Sequence, residues 1–308
     1  MLYVSCGGIS RAFSFSNIRK SGLLGILFAV FVFGRNGCRN EQPTCEADLL
    51  FGRIVKMKEE NMHGNTTVKL AKLEWDSCFF GFPVWKLTAD MSDSSTIDVL
   101  VRLKEFSKIN DGGTCYVFLS KVMHDALHCK LTEMGAVYFG SRVEFCADIE
   151  AIEETDAVCD VVPIHEITDE VRVLAVGSGK KSRFSKDERF ASMCRDMYLR
   201  WIENCFEASK NGSGEVLGIY DDEGGLSGLI AVTATGKTAK IELLSVSGVH
   251  RRQGIGKRLV RYAFSFARAR ECREIVVITQ GDNLAGCRLY ESSGFKECKR
   301  SEVWHLTV

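Results

Sequence analysis

The chain of 308 residues has no net charge to spend. Forty basic residues are matched by forty acidic ones. A protein that holds nucleic acid by neutralising phosphates needs a surplus of cations, so that class is excluded for the chain as a whole. Any anion must be held by a local device. The sequence also lacks a Cys-x-x-Cys pair, although it has thirteen cysteines. Zinc spacing is therefore absent, and no metal is expected. An odd number of thiols, many inside apolar runs as at Cys115, Cys146 and Cys205, is a poor disulfide scaffold in a chain this long. Free, mostly buried thiols imply a reducing compartment, and a cytoplasmic protein is expected. No apolar run reaches the roughly twenty residues that a spanning helix needs. The longest candidate is Gly22–Phe33, twelve residues after Arg19-Lys20.

That apolar run resembles the core of an export signal, but no small-x-small cleavage pattern follows it. Residues 1–62 are read as an extension or an anchor-like segment outside the working protein, with Met57 and Met62 as alternative starts. A membrane-anchored form is the minor alternative.

What is present is ordinary globular composition, 45% hydrophobic and 26% charged, sized for two domains. From Val68 the pattern is mixed α and β. A smaller α/β domain is expected over 63–150, an acidic linker over 150–160, and a second domain over 161–308. In the first domain, the stretch after Val68 alternates like two strands around Gly81-Phe82-Pro83. Residues 94–109 show helical spacing, with an apolar stripe of Ile97, Leu100, Val101, Leu103 and Phe106. A buried strand at 114–120, a helix at 122–134 ended by Gly135, and a long strand at 137–149 follow. In the second domain, two helix candidates precede three strands at 215–221, 226–234 and 239–247. Their turn-rich links make an antiparallel meander. A helix from 254 to 270, a strand at 274–279, a helix at 284–293 and closing strand material complete it. A short echo links "CKLTEMGA" (129–136) to "CRLYESSGF" (287–295), each a helix end, a glycine and a strand. If the echo is real, the first domain is a non-catalytic relative of the second.

One stretch concentrates unusual chemistry. In "HRRQGIGKRL" (250–259), Arg251, Arg252, Gln253 and Lys257 surround Gly254, Ile255 and Gly256 just before a helix. A helix start leaves backbone N–H groups unpaired, and its dipole adds partial positive charge. Two glycines let a phosphate approach that backbone, and the arginines add charge-assisted bonds. The pattern suits a pyrophosphate. It is neither a Rossmann G-x-G-x-x-G loop nor a P-loop, because a meander precedes it.

Arg251-x-x-Gly254-x-Gly256 after a strand ending "LLSVS" resembles the acetyl-CoA motif of the Gcn-five-related N-acetyltransferases (GNAT). Asn283-x-x-Ala-x-x-x-Leu289-Tyr290-x-x-x-Gly294-Phe295 is similar to that family's second motif. Gly248 departs from the pattern, since many members carry proline there. The resemblance implies a GNAT acyltransferase fold over 161–308, an α/β mixed sheet, and direct acetyl transfer from acetyl-CoA to an amine. It implies that backbone near Leu244 and Val246 holds the pantetheine arm and polarises the thioester, that Asn283 orients the arm, and that Tyr290 protonates the departing thiolate. On spacing alone, Tyr290 is a core aromatic and Asn283 a helix N-cap. For the general base, Glu242 and a water chain are equal candidates. His250 reads as a surface residue, and His124 and His128 as structural.

A narrower resemblance concerns the acceptor. "LEWDSCFFGFPVWKL" (73–87), "SRF" (182–184) and "YLRWIENC" (198–205) resemble the dTDP-fucosamine acetyltransferases, which acetylate nucleotide-linked amino-dideoxy sugars for surface polysaccharides. This implies a nucleotide-sugar amine as partner, with Arg183, Phe184, Tyr198, Trp201 and Phe80 around it and Trp75 and Phe79 as further aromatics. Arg183 would meet the diphosphate. A second copy of the chain is an open partner. A peptide, polyamine or drug amine is the alternative acceptor, and a non-catalytic acetyl-CoA-binding module is the alternative of another class.

Overall fold

The computed structural model describes residues 2–6, 9–13, 68–91, 94, 96–109, 111–121, 125–153 and 160–308. The apolar run 22–33, Met57, Met62 and His124 lie outside the described residues. The chain divides into two units, Met1–Asn65 and Thr66–Val308. In the first, β1 (Leu2–Cys6) pairs antiparallel with β2 (Ile9–Phe13).

The second unit is built on one ten-stranded mixed sheet. Its strands are β3 (Val68–Lys72), β4 (Val84–Asp90), β5 (Thr114–Ser120), β6 (Val137–Asp148), β7 (Val162–Pro163), β8 (Gly214–Tyr220), β9 (Leu226–Thr235), β10 (Thr238–Val246), β11 (Glu274–Gln280) and β12 (Lys296–Thr307). Their spatial order is β3-β4-β5-β12-β6-β11-β10-β9-β8-β7. The segments 63–150 and 161–308 therefore share a sheet. The helices are α1 (Glu74–Phe80), α2 (Thr96–Ile109), α3 (Asp125–Glu133), α4 (Asp169–Ser178), α5 (Arg183–Lys186), α6 (Glu188–Lys210), α7 (Ile255–Ala269) and α8 (Leu284–Glu291). Among the described residues, no helix is long and apolar enough to cross a membrane.

The two halves repeat one topology. β4 runs through α2 to a parallel β5, then through α3 to β6. β10 runs through α7 to a parallel β11, then through α8 to β12. Parallel neighbours need such a crossover helix. The last strands are exchanged: β12 pairs antiparallel with β5, and β6 pairs antiparallel with β11. Between them, β6 and β12 pair with each other. The echo in sequence falls at matching places. Gly135 (φ 84°) follows α3 and Gly294 (φ 98°) follows α8, each left-handed where a helix turns into a strand.

Two local expectations are corrected. Residues 74–80 form a helix, not strand. Glu74 and Asp76 sit in its first turn, where the dipole favours them, and Gly81 (φ 76°) ends it in the left-handed region. The buried stripe of α2 is Val99, Leu103 and Phe106, whereas Ile97 and Val101 are exposed. The helix is rotated so that the i, i+4, i+7 set meets the sheet; positions 97 and 101 share the other side.

Side-chain alternation separates the sheet's two faces. Val143, Phe145, Ile241 and Val277 pack in one core with Leu259 and Phe264 of α7 and Tyr290 of α8. Tyr116, Phe118 and Leu243 pack in another with α5 and α6, including Phe184, Phe190 and Tyr198. α6 is amphipathic at helical spacing, burying Phe190, Cys194, Met197, Ile202 and Cys205.

Candidate functional site

β10 and β11 pair in parallel only from Thr238–Glu274 to Ile241–Val277. Both strands continue, to Val246 and Gln280. Beyond Ile241 they part, leaving a cleft through the sheet whose β10 edge has peptide groups with no strand partner on that side. On its other side β10 stays paired to β9 as far as Val246–Gly228. Leu244 and Val246 lie in this parted segment, partly buried against the α7 core. In the first half the corresponding strands do not part. β4 and β5 pair across all seven residues, Val84–Thr114 to Asp90–Ser120. The unit thus has one such cleft among the described residues.

The glycine turn sits at the head of α7, on the face that buries Tyr290. A short 3-10 turn, Gly248–His250, leads into it from β10. Gly254 is the N-cap, left-handed at φ 80°, with no atom within 4 Å of where a Cβ would be. Arg252 is also left-handed, at φ 66°. Left-handed residues beside right-handed ones aim successive N–H groups into one concavity, which is an anion nest. A Cβ on Gly256 would meet Leu289 at 3.1 Å, so glycine keeps α7 close to α8. Arg251, Arg252, Gln253 and Lys257 are exposed around the turn. The Arg251 Nε donates to Val246 O at 3.4 Å, and the Gln253 Nε2 donates to Val249 O at 3.4 Å. Ile255 is buried and anchors the helix. His250 is 3.5 Å from Asp221 and partly buried.

The second motif is partly structural. Asn283 caps α8: its Oδ1 accepts from Gly286 N at 3.4 Å, and its Nδ2 donates to Thr279 Oγ1 at 3.0 Å. Thr279 lies near the end of β11, so the cap ties α8 to the cleft's rim. The Tyr290 ring packs against Phe145 (5.9 Å) and Phe295 (5.7 Å). Burial pushes its hydroxyl pKa upward, with a smaller contribution from Cys287, so the proton is held.

Glu242 is the first residue past the last parallel pair, at the vertex of the cleft. It accepts from Thr233 Oγ1 (3.0 Å) and from Lys240 Nζ (2.7 Å). Thr233 and Lys240 alternate with Val232 and Ile241 of the α7 core and so face α6; a β-bulge between Ile241 and Leu243 interrupts the alternation, and the bonds to Thr233 and Lys240 hold Glu242 on that same α6 side. The vertex of the cleft thus carries a carboxylate on the α6 face, while the glycine turn and the buried Tyr290 lie on the α7 face.

On the α6 side lies a cavity of about 570 Å³, walled by β4, β5, β6, β12, α1 and α5. Arg142 of β6 is the register partner of Gln280, the last residue of β11, which sets the cavity wall beside the cleft's rim. Arg183 reaches over three rings, at 4.1 Å from Phe184, 4.9 Å from Tyr116 and 5.4 Å from Phe118. Its Nε is shut off from solvent without an acceptor. Of the five residues expected around an acceptor, Arg183, Phe184 and Phe80 meet, with Phe80 and Phe184 6.0 Å apart. Phe80, Phe184 and Tyr198 are buried core residues. Tyr198 stacks on Trp201 at 5.6 Å along α6, and its ring fills the space beside Gly179. Trp75, half exposed, stacks on Phe79 at 5.2 Å. Sequence reasoning missed Lys86, Arg142, Lys299 and Tyr116, which line the same cavity. The available signal was polar residues alternating within apolar strands, as in Arg142-x-Glu144. Among the described residues, no group of three His, Cys, Asp or Glu side chains is placed to hold a metal.

A meander, a parted parallel pair and a glycine turn heading the helix between them make this the GNAT acyltransferase fold. The acetyltransferase (GNAT) family model matches residues 183–295. N-acetyltransferase family 8 member 3 of Rattus norvegicus is 30% identical over 127 residues, 39% of this chain and 54% of that protein. N-acetyltransferase 8 of Homo sapiens is 32% identical over 128 residues, 38% of this chain and 53% of that protein. The chain spans about half the length of these curated relatives. A GCN5-related N-acetyltransferase from Sphaerobacter thermophilus superposes with a TM-score of 0.52 at 12% identity, covering 78% of this chain and 76% of its own. A conserved protein of unknown function from Staphylococcus epidermidis gives 0.54 at 15% identity, over 82% and 98%.

Proposed function

We propose that the chain is an N-acetyltransferase that moves the acetyl group of acetyl-CoA to a primary amine. The observation that carries this reading is the parting of β10 from β11 after Ile241 and Val277, with the Gly254 turn beside it. The residues fit the donor. The open N–H groups of the nest, with Arg251, Arg252, Gln253 and Lys257 around it, would take the pyrophosphate. The unpaired β10 edge at Leu244 and Val246 would take the pantetheine amides and the thioester carbonyl. Asn283 holds the rim in register.

In this reading the amine enters from the α6 face and must be neutral to attack. Glu242, at the vertex, accepts its proton directly or through water. The nitrogen bonds to the thioester carbon, the carbon–sulfur bond breaks, and Tyr290 gives its proton to the departing thiolate. N-acetylated amine and CoA result.

The acceptor we infer is a nucleotide-linked amino-dideoxy sugar of the dTDP-fucosamine type, made for a surface polysaccharide. The cationic and aromatic surroundings of Arg183 support a sugar nucleotide. The division into a smaller substrate-side domain (63–150) and an acetyltransferase domain (161–308) belongs to the same proposal, with acetyl transfer in the cytoplasm. The test is release of CoA thiol in the presence of dTDP-amino sugars, simple amines and peptides. Release that depends on the dTDP-amino sugar supports the full reading. Release with peptides or polyamines alone refutes the sugar acceptor and keeps the transferase. No release with any amine, in protein that binds acetyl-CoA, refutes both.

A further inference from the structure

Three cations converge on one ring. Lys86 Nζ is 5.7 Å from the Phe118 ring centre, the Arg183 guanidinium 5.4 Å and the Arg142 guanidinium 5.9 Å. They come from three separate elements, β4, α5 and β6. Lys299 of β12 stands beside Arg142's strand, as the register partner of Glu144. Like charges gathered on one sheet face repel, and a protein keeps such an arrangement only at a cost.

The carboxylates nearby offset it only in part. Glu144 pairs with Arg142 at 3.1 Å, and Asp90 pairs with Lys121 at 3.1 Å. Lys86 and Lys299 have no carboxylate within ion-pair distance among the described residues. Asp76 faces Arg183, but burial raises its pKa despite that cation. Lys86 has a lowered pKa, first from desolvation and then from Arg142, Lys299 and Arg183, as expected of a cation cluster short of anions. Two sealed polar atoms on the same wall also lack partners: Arg183 Nε and the hydroxyl of Tyr116, a fully buried residue that lines the cavity. Each is a buried polar group left unpaired beside the cations, a further cost of the same kind.

We propose that the cavity bounded by Lys86, Arg142, Arg183 and Lys299 is an anion site that holds the diphosphate of the acceptor. The inference rests on the nucleotide-linked acceptor proposed above and assigns where its charged part lies. Guanidinium forks and ammonium groups suit phosphate oxygens, and the aromatic floor of Phe118 and Tyr116 keeps the site partly dry. The parted end of β11 lies next to Arg142, so an anchored diphosphate would leave the sugar amine on the side of Glu242.

The test is calorimetric titration of the full chain, saturated with CoA so that the α7 turn is filled. The probes are dTDP, inorganic pyrophosphate and thymidine. dTDP and pyrophosphate should bind and thymidine should bind far more weakly. Lys299→Met and Lys86→Met, both at accessible side chains, should each weaken dTDP at least tenfold, while Lys210→Met, an exposed lysine at the far end of α6, leaves dTDP unchanged. Thymidine binding as tightly as dTDP, or dTDP binding untouched by both lysine variants, would overturn the site, as would no dTDP binding at all. The two proposals fail separately. Lysine-dependent dTDP binding without any acetyl transfer removes the enzyme and keeps the site. Transfer to a dTDP-amino sugar with the same acceptor KM in Lys299→Met and Lys86→Met removes the site and keeps the enzyme.

Discussion

His305 Nδ1 lies 2.6 Å from Asp187 Oδ2, and the other oxygen of that carboxylate caps α6 by accepting from Arg189 N at 3.0 Å. His305 is almost wholly buried on β12, so one carboxylate joins that strand to the start of the 23-residue helix α6. Burial is the dominant influence on His305 and lowers its pKa to about 4, with Asp187 opposing and Arg183 assisting. An unfolded histidine titrates near 6.5. Between those values the unfolded chain binds a proton that the folded chain does not. Stability is therefore full above about 6.5 and falls as pH drops toward 4, by about 3 kcal/mol if the whole shift is realised. Denaturant melts from pH 7 to 4 should show this slope, and His305→Gln should flatten it by about one proton. An unchanged slope would assign the acid loss to carboxylates.

Tyr290→Phe removes only an oxygen from a ring packed between Phe145 and Phe295. Thermal stability should stay within about 1 kcal/mol. Turnover should fall tenfold to a hundredfold, with the KM for acetyl-CoA within twofold. Because burial raises the hydroxyl's pKa, its ionisation should produce no alkaline loss of rate below about pH 10. Unchanged turnover would make Tyr290 a packing residue.

Glu242→Gln keeps an acceptor for Thr233 but cannot take a proton. The rate should fall at least tenfold at neutral pH and recover in part as pH rises and the amine deprotonates itself. Lys240→Met is the control, since it removes Glu242's ion-pair partner and leaves the carboxylate. A Glu242→Gln enzyme with wild-type rate would leave water as the base.

Gly254→Val places a β-branched residue at φ 80°, a strain of about 1–2 kcal/mol. The open space around that position offers no clash. The variant should fold, and its Kd for CoA should rise at least tenfold while dTDP binding is retained. Calorimetry on both ligands checks it.

Thiol reactivity should follow burial. Cys115 and Cys205 are buried, with thiols pushed up to about 12 by desolvation, whereas Cys78 and Cys129 are exposed. Mass spectrometry after timed alkylation of native protein should find Cys78 and Cys129 labelled well before Cys115 and Cys205.

Local order was legible where periodicity was strong. The meander, the helix from Ile255 and the α8–Gly294–β12 step all follow from residue spacing and glycine placement. The α1 helix was not, because "LEWDSCFFGFPVW" alternates well enough for strand, and only the Glu74–Asp76 start and the Gly81 end decide for helix. Candidate residues adjacent in sequence, such as Arg251 to Lys257, fall together at one turn for the same local reason. Lys86, Arg142 and Lys299 come together only through the exchange of β6 and β12. That pairing joins positions more than 150 residues apart, and no short window of sequence carries it.

The exchange has a further consequence. Each half lends its closing strand to the other half, so the halves are clasped rather than tethered. A protease cut between residues 153 and 160 would leave two fragments that stay together until the sheet itself melts. Neither fragment alone could complete its own sheet: residues 160–308 would expose the bare edge of β11, and β12 would have no β5 or β6 to lie between.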